Sequence, residues 1–236
     1  GFGVTRTLLG DRESRLFCGY LALFTFLNAF AGPFIIPYLK TQIGLSSGLI
    51  VFLLSLQTVG YGFSSLLWGR LNDRRGSRMV LFFSLLPAPF TCALLAALQR
   101  IPPEWIRPAL IAFFTISGTV GAGQDMANST RRMAIAPDNA RFAYLAWMMV
   151  LFAQAPVLLG APLGGLFIER NRHLALRGWN AYNLLFFSIA AGDVILLAMI
   201  ARMRPLRERE EALGQIVRGA VTDGLLRFRE FLISPP

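Results

Sequence analysis

The chain has 236 residues, of which 55% are hydrophobic and 15% are charged. Soluble domains carry about 25% charged residues, so this composition indicates a membrane protein. The formal net charge is +10, but the basic residues stand at the ends of apolar stretches. That placement encodes membrane topology and argues against a nucleic-acid-binding surface.

Six apolar segments follow one another along the chain, over residues 16–39, 46–68, 79–98, 107–130, 142–168 and 179–201. Each is close to the roughly 20 residues that cross a bilayer as a helix. Because lipid offers backbone amides no partners outside their own helix, each segment is predicted to span the membrane as an α-helix.

The distribution of basic residues predicts the orientation of these helices. With the N-terminus in the cytoplasm, seventeen of the 23 Lys+Arg residues lie on the inner side and six on the outer side. The bias remains, ten against six, when the seven arginines from Arg202 to Arg229 are left out. Basic residues collect in cytoplasmic loops, so we expect both termini in the cytoplasm, in a multi-pass protein of a bacterial inner (plasma) membrane.

Few residues suit metal or cofactor chemistry. Cys18 and Cys92 lie inside apolar segments, where packing is the simplest interpretation. His173 is the only histidine, so a histidine-based metal cluster or triad is excluded. The sequence lacks a Walker-type phosphate loop, which argues against ATP hydrolysis. No cofactor and no metal are expected. The chain opens on glycine without a signal-peptide pattern, and we expect it to be a fragment or a processed product.

The last stretch, residues 205–236, differs from the rest. Its apolar residues, among them Leu213, Ile216, Val217 and Ala220, recur near helical spacing between arginines and acids. This pattern predicts an amphipathic helix on the inner membrane face. The alternative interpretation is a partly disordered, solvated tail.

A short basic loop between the second and third segments is the most informative motif. Residues 69–81 read G-R-L-N-D-R-R-G-S-R-M-V-L. The loop resembles the cytoplasmic signature of the major facilitator superfamily, roughly G-x-L-(A/N)-D-(R/K)-x-G-R-(R/K)-x-x-L. Pattern positions are held by Gly69, Leu71, Asp73, Arg74, Gly76, Arg78 and Leu81, whereas Ser77 stands where the family usually has a basic residue.

Further elements extend the resemblance over about residues 15–202. The stretch Ile43-Gly44-Leu45-Ser46 is similar to the family's lead into its second helix. The end of the fourth segment, Arg131-Arg132 with Ala136-Pro137-Asp138, is similar to the family's sequence before the following loop. The fifth segment carries Gly160-Ala161-Pro162-Leu163-Gly164-Gly165, which is similar to the family's G-P-x-x-G-G element. The order of all these elements, more than any single one, carries the resemblance.

The resemblance implies an all-α membrane protein, one six-helix half of a transporter, built from two inverted three-helix units. Residues 1–15 would be a cytoplasmic lead-in or a linker between halves, 16–202 the helical bundle and 203–236 the cytoplasmic amphipathic tail. The C-terminal half is favoured by the opening Leu67-Trp68-Gly69-Arg70 and by the amphipathic tail. The implied partners are the lipid bilayer, a second six-helix half in the same or another chain, a small-molecule substrate and, for coupled transport, a proton or ion.

The loop residues are the first site candidates. The resemblance implies that Gly69, Arg70, Asp73, Arg74, Gly76 and Arg78 form a gating brace that holds one access state. Asp73 suits backbone N–H groups at a helix N-terminus, and the glycines permit close helix approach and unusual turns. The arginines suit acids or carbonyls at the end of a neighbouring helix. The alternative is a simple positive-inside anchor.

Polar residues within the spanning segments are the second set: Asn28, Gln57, Gln124, Asp125, Asn128 and Gln154. An intramembrane acid is a functional candidate by default, so Asp125 is expected to bind a cation, carry a coupling proton or pair statically with an arginine. For the amides, interhelical hydrogen bonding is the alternative to lining a transport path. Asp193, on the last helix, is expected to make a structural pair away from that path.

These features predict secondary active transport of a small solute by alternating access, and no enzymatic activity. One alternative is a non-transporting six-helix scaffold. Another is an intramembrane aspartyl protease, in which Asp125 and Asp193 would meet and share a proton. Their sequence contexts depart from the motifs that such proteases use.

Overall fold

The computed structural model describes residues 11–137, 140–173 and 180–206, and every regular element in these residues is helical. The α-helices are α1 (Arg12–Thr41), α2 (Ser47–Arg75), α3 (Ser77–Leu85), α4 (Ala88–Ala97), α5 (Pro103–Ile135), α6 (Arg141–Met148), α7 (Ala155–Arg170) and α8 (Ala181–Arg202). The predicted amphipathic helix and most of the predicted lead-in lie outside the described residues.

Six helical stretches of the described chain are long and apolar enough to cross a membrane. Four are single helices, α1, α2, α5 and α8. The third stretch, Ser77–Arg100, joins α3, α4 and a 3₁₀ turn, and the fifth, Arg141–Arg170, joins α6 and α7 through a π-helical turn at Met149–Gln154. The predicted all-α fold with six spanning helices is confirmed.

The basic loop is more helical than the sequence suggested. Helix α2 continues through Arg75, seven residues past the predicted end, because nothing between Gly69 and Arg75 prevents helical hydrogen bonding. The chain turns at Gly76 alone, with φ of 80°, a left-handed conformation that glycine adopts without strain. The N–H of Gly76 still donates to the carbonyl of Asn72 at 2.9 Å. The second and third spanning stretches are therefore joined by a single residue.

Polar caps explain where several helices begin. The Asp11 carboxylate accepts the Ser14 N–H at 3.4 Å at the start of α1, and the Ser46 hydroxyl accepts the Leu49 N–H at 3.3 Å at the start of α2. Asn180 and Asn183 form a reciprocal capping box that opens α8. Each cap satisfies N–H groups that the first helical turn leaves unpaired.

The helices pack in pairs that follow the inverted arrangement. Helix α2 packs against α5, α1 against α7, and α4 against α8. The first, second and third spanning stretches correspond to the fourth, fifth and sixth. Under this correspondence the α1–α7 contact, between the first and fifth stretches, becomes the α5–α2 contact between the fourth and second. The α4–α8 contact, between the third and sixth stretches, maps onto itself. This is the packing that two inverted three-helix units require.

Glycines allow the two largest of these contacts to form. A Cβ added to Gly118 on α5 would overlap the backbone carbonyl of Gln57 on α2. A Cβ added to Gly164 on α7 would likewise overlap the carbonyl of Phe30 on α1, and one on Gly160 would stand 2.9 Å from the Phe26 carbonyl oxygen. Backbone contact of this kind holds membrane helices together where no hydrophobic force acts between them.

Large apolar side chains also cover the outside of the bundle. Phe142 is 89% exposed, and Phe63, Phe90 and Leu158 are each more than 70% exposed. Such a surface is incompatible with water and suits lipid or a further protein partner. The buried core contains Phe17, Tyr38, Tyr144 and Phe186 among others.

Candidate functional site

A cavity of about 390 Å³ lies inside the bundle and is bordered by α1, α2, α4, α5, α8 and the end of α3. Its aromatic lining consists of Phe24, Phe113, Phe114 and Phe186, and its polar lining of Asn28, Gln57, Thr91, Cys92, Ser117, Gln124 and Asp193. Asn28, Gly32 and Ile36 on α1 are exposed and form part of its rim. An apolar cavity of this size with a few polar groups is typical of small-molecule sites.

Three of the six predicted path residues line this cavity. Asn28 lies at the exposed rim, and its amide N–H donates to the Phe24 carbonyl at 2.8 Å. Gln57 is half-buried on the opposite helix α2. Both amides can therefore be reached by a solute that enters from the rim.

Gln124 also borders the cavity, but its side chain is engaged with the protein. It is fully buried, accepts a hydrogen bond from the Tyr20 hydroxyl, and donates to the Leu81 carbonyl at 2.9 Å and to the Ser84 hydroxyl at 2.7 Å. Of the two roles that the sequence left open for this amide, these contacts favour interhelical hydrogen bonding.

The other three path candidates lie elsewhere. Asn128 is buried one turn further along α5, beside the Tyr20 hydroxyl. Gln154 is exposed at the end of the π-helical turn. Asp125 is exposed and accepts a hydrogen bond from the Tyr61 hydroxyl at 2.9 Å. Its hydrogen-bond partner is therefore a tyrosine of α2 and not the arginine that a static ion pair would need.

Asp193 departs most from expectation, because it borders the cavity instead of making a pair away from it. Gly192, the residue before it, has no side chain, and this lets α8 approach Leu27 on α1 closely enough to close one wall. Asp193 is 6% exposed as a residue, and its carboxylate accepts a hydrogen bond from the Cys92 thiol at 3.6 Å. Cys92 thus has a polar contact as well as the predicted packing role.

The two intramembrane acids do not form a catalytic pair. Asp193 contacts Cys92 inside the cavity, whereas Asp125 contacts Tyr61 on an exposed surface that does not border it. Proteolysis would need both carboxylates to hold one water between them. The described residues also include no group of three or more His, Cys, Asp or Glu side chains that could hold a metal ion.

A buried polar cluster lies at the end of the bundle that holds the N-terminus of α1. The Arg131 guanidinium is fully buried and donates to the Glu13 carboxylate at 3.1 Å and to the Arg204 carbonyl at 3.0 Å. The Arg204 N–H donates to the same Glu13 oxygen at 2.9 Å. We call Glu13, Arg131 and Arg204 the end cluster. It ties the start of α1, the end of α5 and the chain after α8 together, and the sequence analysis missed it.

The loop residues lie at the same end of the bundle. Arg78 donates to the carbonyl of Ala201 at 2.7 Å, near the end of α8. Gly69 faces Met126 on α5. Asp73 lies within the last turn of α2 and is exposed, so it does not stand in a tight turn, and α3 begins at Gly76 without a side-chain cap. Arg70 and Arg74 are also exposed.

Six spanning helices around an internal, partly polar cavity define a multi-pass membrane protein of the transporter class. A family model described as Major Facilitator Superfamily matches residues 16–236. The chain belongs to the major facilitator superfamily, as the loop motif predicted. Members of this family transport small solutes across membranes and are not enzymes. No curated protein and no solved structure matched the chain.

Proposed function

We propose that the protein is one six-helix half, the C-terminal one, of a secondary active transporter that works by alternating access. The observation that carries the proposal is the cavity between α1, α2, α5 and α8, which offers Asn28 and Gln57 from a rim exposed on the bundle surface. A second half, in the same or a partner chain, would cover that surface and complete a two-sided site near the membrane midplane.

The membrane arrangement follows from charge. We propose that both termini face the cytoplasm of a bacterial cell and that the end cluster and the basic loop lie on that side. Basic residues concentrate there in the sequence. Transport would be driven by an ion gradient, with Asp125 as the first candidate for a coupling proton or ion because it is an exposed acid within a spanning helix.

The basic loop would act as the brace of one access state. Asp73, Arg70 and Arg74 are exposed at the end of α2 and available to a second half, while Arg78 holds the loop to the end of α8. Opening of the cytoplasmic side would break the contacts that Asp73 and Arg74 make with that half. Gly69, Gly76 and Arg78 would keep the loop in place throughout.

Labelling of an introduced cysteine tests this mechanism without a known substrate. In the full-length protein with Cys18 and Cys92 replaced by alanine, Asn28→Cys reports access to the cavity through its reaction with a membrane-impermeant maleimide. Arg74→Gln should change the labelling rate at least threefold, because it weakens the brace and shifts the population of access states. Arg75→Gln is the matched control, since Arg75 is equally exposed but stands at a variable position of the motif.

Equal labelling rates in Arg74→Gln and Arg75→Gln would contradict the brace and would leave the loop arginines as a positive-inside anchor. If neither the two variants nor an energised membrane changes the labelling rate, the result would favour the non-transporting scaffold. The mass of the native polypeptide is a separate measurement. A mass of one half only would mean that the protein either pairs with a second half in a partner chain or does not transport, which would favour the scaffold.

A further inference from the structure

We propose that the cavity binds a monovalent organic cation that carries an aromatic or other apolar group, with the Asp193 carboxylate as its countercharge. The inference deepens the proposed function and rests on it, since it names the substrate class for the same cavity. Three observations carry it: the partners of Asp193, the charge of the lining and the aromatic walls.

Asp193 has no cationic partner among the residues that the structure describes. The residue is only 6% exposed, and its carboxylate accepts a hydrogen bond from a thiol at 3.6 Å, which is a weak donor. An ionised carboxylate in such surroundings is strongly disfavoured unless a positive charge joins it. The spanning helices therefore keep a buried acid at a cavity wall without supplying its counter-ion.

The rest of the lining does not supply one either. Among the described residues that border the cavity, none is arginine, lysine or histidine. The end cluster shows how this chain satisfies a buried carboxylate when the role is structural, with a guanidinium and a backbone N–H. Since the described residues leave the charge of Asp193 without a complement, we assign that positive charge to a ligand.

The walls suit an organic cation better than an inorganic one. Phe24, Phe113, Phe114 and Phe186 border the cavity together with Asp193. Aromatic faces attract cations, most strongly where water is excluded. A transition-metal ion would need several His, Cys, Asp or Glu ligands, and the described residues hold no group of three such side chains.

Charge and size narrow the class further. One carboxylate borders the cavity, so it balances one positive charge and disfavours dications and anions. A volume of about 390 Å³ accommodates a single ring with a substituted ammonium group. The amides of Asn28 and Gln57 near the rim can hydrogen-bond a polar substituent of such a ligand.

The test uses benzyltrimethylammonium, a permanent cation, and the purified full-length protein in lipid nanodiscs, with affinity measured by isothermal titration calorimetry at one pH. We expect saturable binding that Asp193→Asn weakens at least tenfold. Glu169→Gln is the matched control, because it removes an exposed acid of the fifth spanning stretch that does not border the cavity, and it should change the affinity less than twofold.

A second comparison needs no variant, so it stays informative if Asp193→Asn does not fold. The N-oxide of N,N-dimethylbenzylamine has nearly the same shape as the cation and no net charge, and it should bind the unaltered protein at least tenfold more weakly. Equal binding of the two compounds, or equal binding by Asp193→Asn and the unaltered protein, would overturn the proposal. The maleimide experiment uses no ligand, so it tests alternating access alone. The calorimetry tests the preference of the cavity for a cation, and each proposal can therefore be contradicted without the other.

Discussion

The end cluster and the cavity bury one carboxylate each to almost the same extent, yet they treat it in opposite ways. Glu13 is 7% exposed and Asp193 is 6% exposed. Glu13 receives hydrogen bonds from the Arg131 guanidinium and the Arg204 N–H, whereas Asp193 receives one from a thiol. Burial alone therefore does not distinguish a structural acid from a binding acid. The partners do, and variants at the two sites should respond differently.

The largest effect is expected at the end cluster. Arg131→Met should lower the free energy of unfolding by about 3–5 kcal/mol, because it leaves the Glu13 carboxylate buried beside an apolar side chain. Denaturation of the purified protein in mild detergent, followed by circular dichroism, measures the change. Arg15→Met, an exposed arginine on α1, is the control and should be nearly neutral. A loss below 1 kcal/mol for Arg131→Met would show that the cluster is not structural.

A smaller effect is expected where helices meet around the cavity. Gly118→Ala should destabilise by about 1–3 kcal/mol, because its Cβ would overlap the backbone carbonyl of Gln57, which cannot rotate away. Gly121→Ala, one turn along α5, would meet the Tyr61 ring at an ordinary 3.6 Å and should be tolerated. Thermal unfolding of the two variants in the same detergent compares them. Equal stabilities would contradict the close approach of α2 and α5.

Two tyrosine hydrogen bonds, one buried beside the end cluster and one exposed, provide a finer comparison. Tyr144 is buried, and its hydroxyl donates to the hydroxyl of Ser14 at 3.2 Å. Ser14 follows Glu13 of the end cluster directly in the chain. Tyr144→Phe should cost about 1 kcal/mol, since it leaves the Ser14 hydroxyl without its buried partner. Tyr61→Phe removes an exposed hydrogen bond to Asp125 and should cost less than about 0.5 kcal/mol. Unfolding free energies that reverse this order would mean that the two tyrosines differ in burial from what the structure shows.

A small effect on stability is also expected at Asp193, despite its burial. Asp193→Asn keeps the shape of the side chain and removes a charge that has only a weak donor, so the free energy of unfolding should change by less than about 1 kcal/mol. Glu13→Gln should destabilise more, because it leaves Arg131 without its anionic partner. The same denaturation series compares both variants. A larger loss for Asp193→Asn would mean that Asp193 has a structural role.

The six spanning helices were predictable because length, hydropathy and the placement of arginine are local properties of the chain. The continuation of α2 through Arg75 was not, since the sequence around Gly69 and Gly76 suits a helix and a turn equally well. The contacts that define the site could not be predicted from local sequence patterns, because they join residues that are far apart in the chain. Glu13 and Arg131 are 118 residues apart and Cys92 and Asp193 are 101 apart. Only the packing of α8 against α1 and α4 decides that Asp193 borders a cavity.

The π-helical turn at Met149–Gln154 has a consequence for the comparison of relatives. Such a turn holds one residue more than an α-helical turn. It also brings the Phe152 carbonyl within 3.2 Å of the Thr25 hydroxyl on α1. A relative that lacks one residue there would have a continuous α-helix and would rotate α6 by about 100° relative to α7. A one-residue alignment gap inside this apolar segment would then record an evolutionary change of helix register, and aligners that forbid gaps in membrane helices would misplace every residue on one side of it.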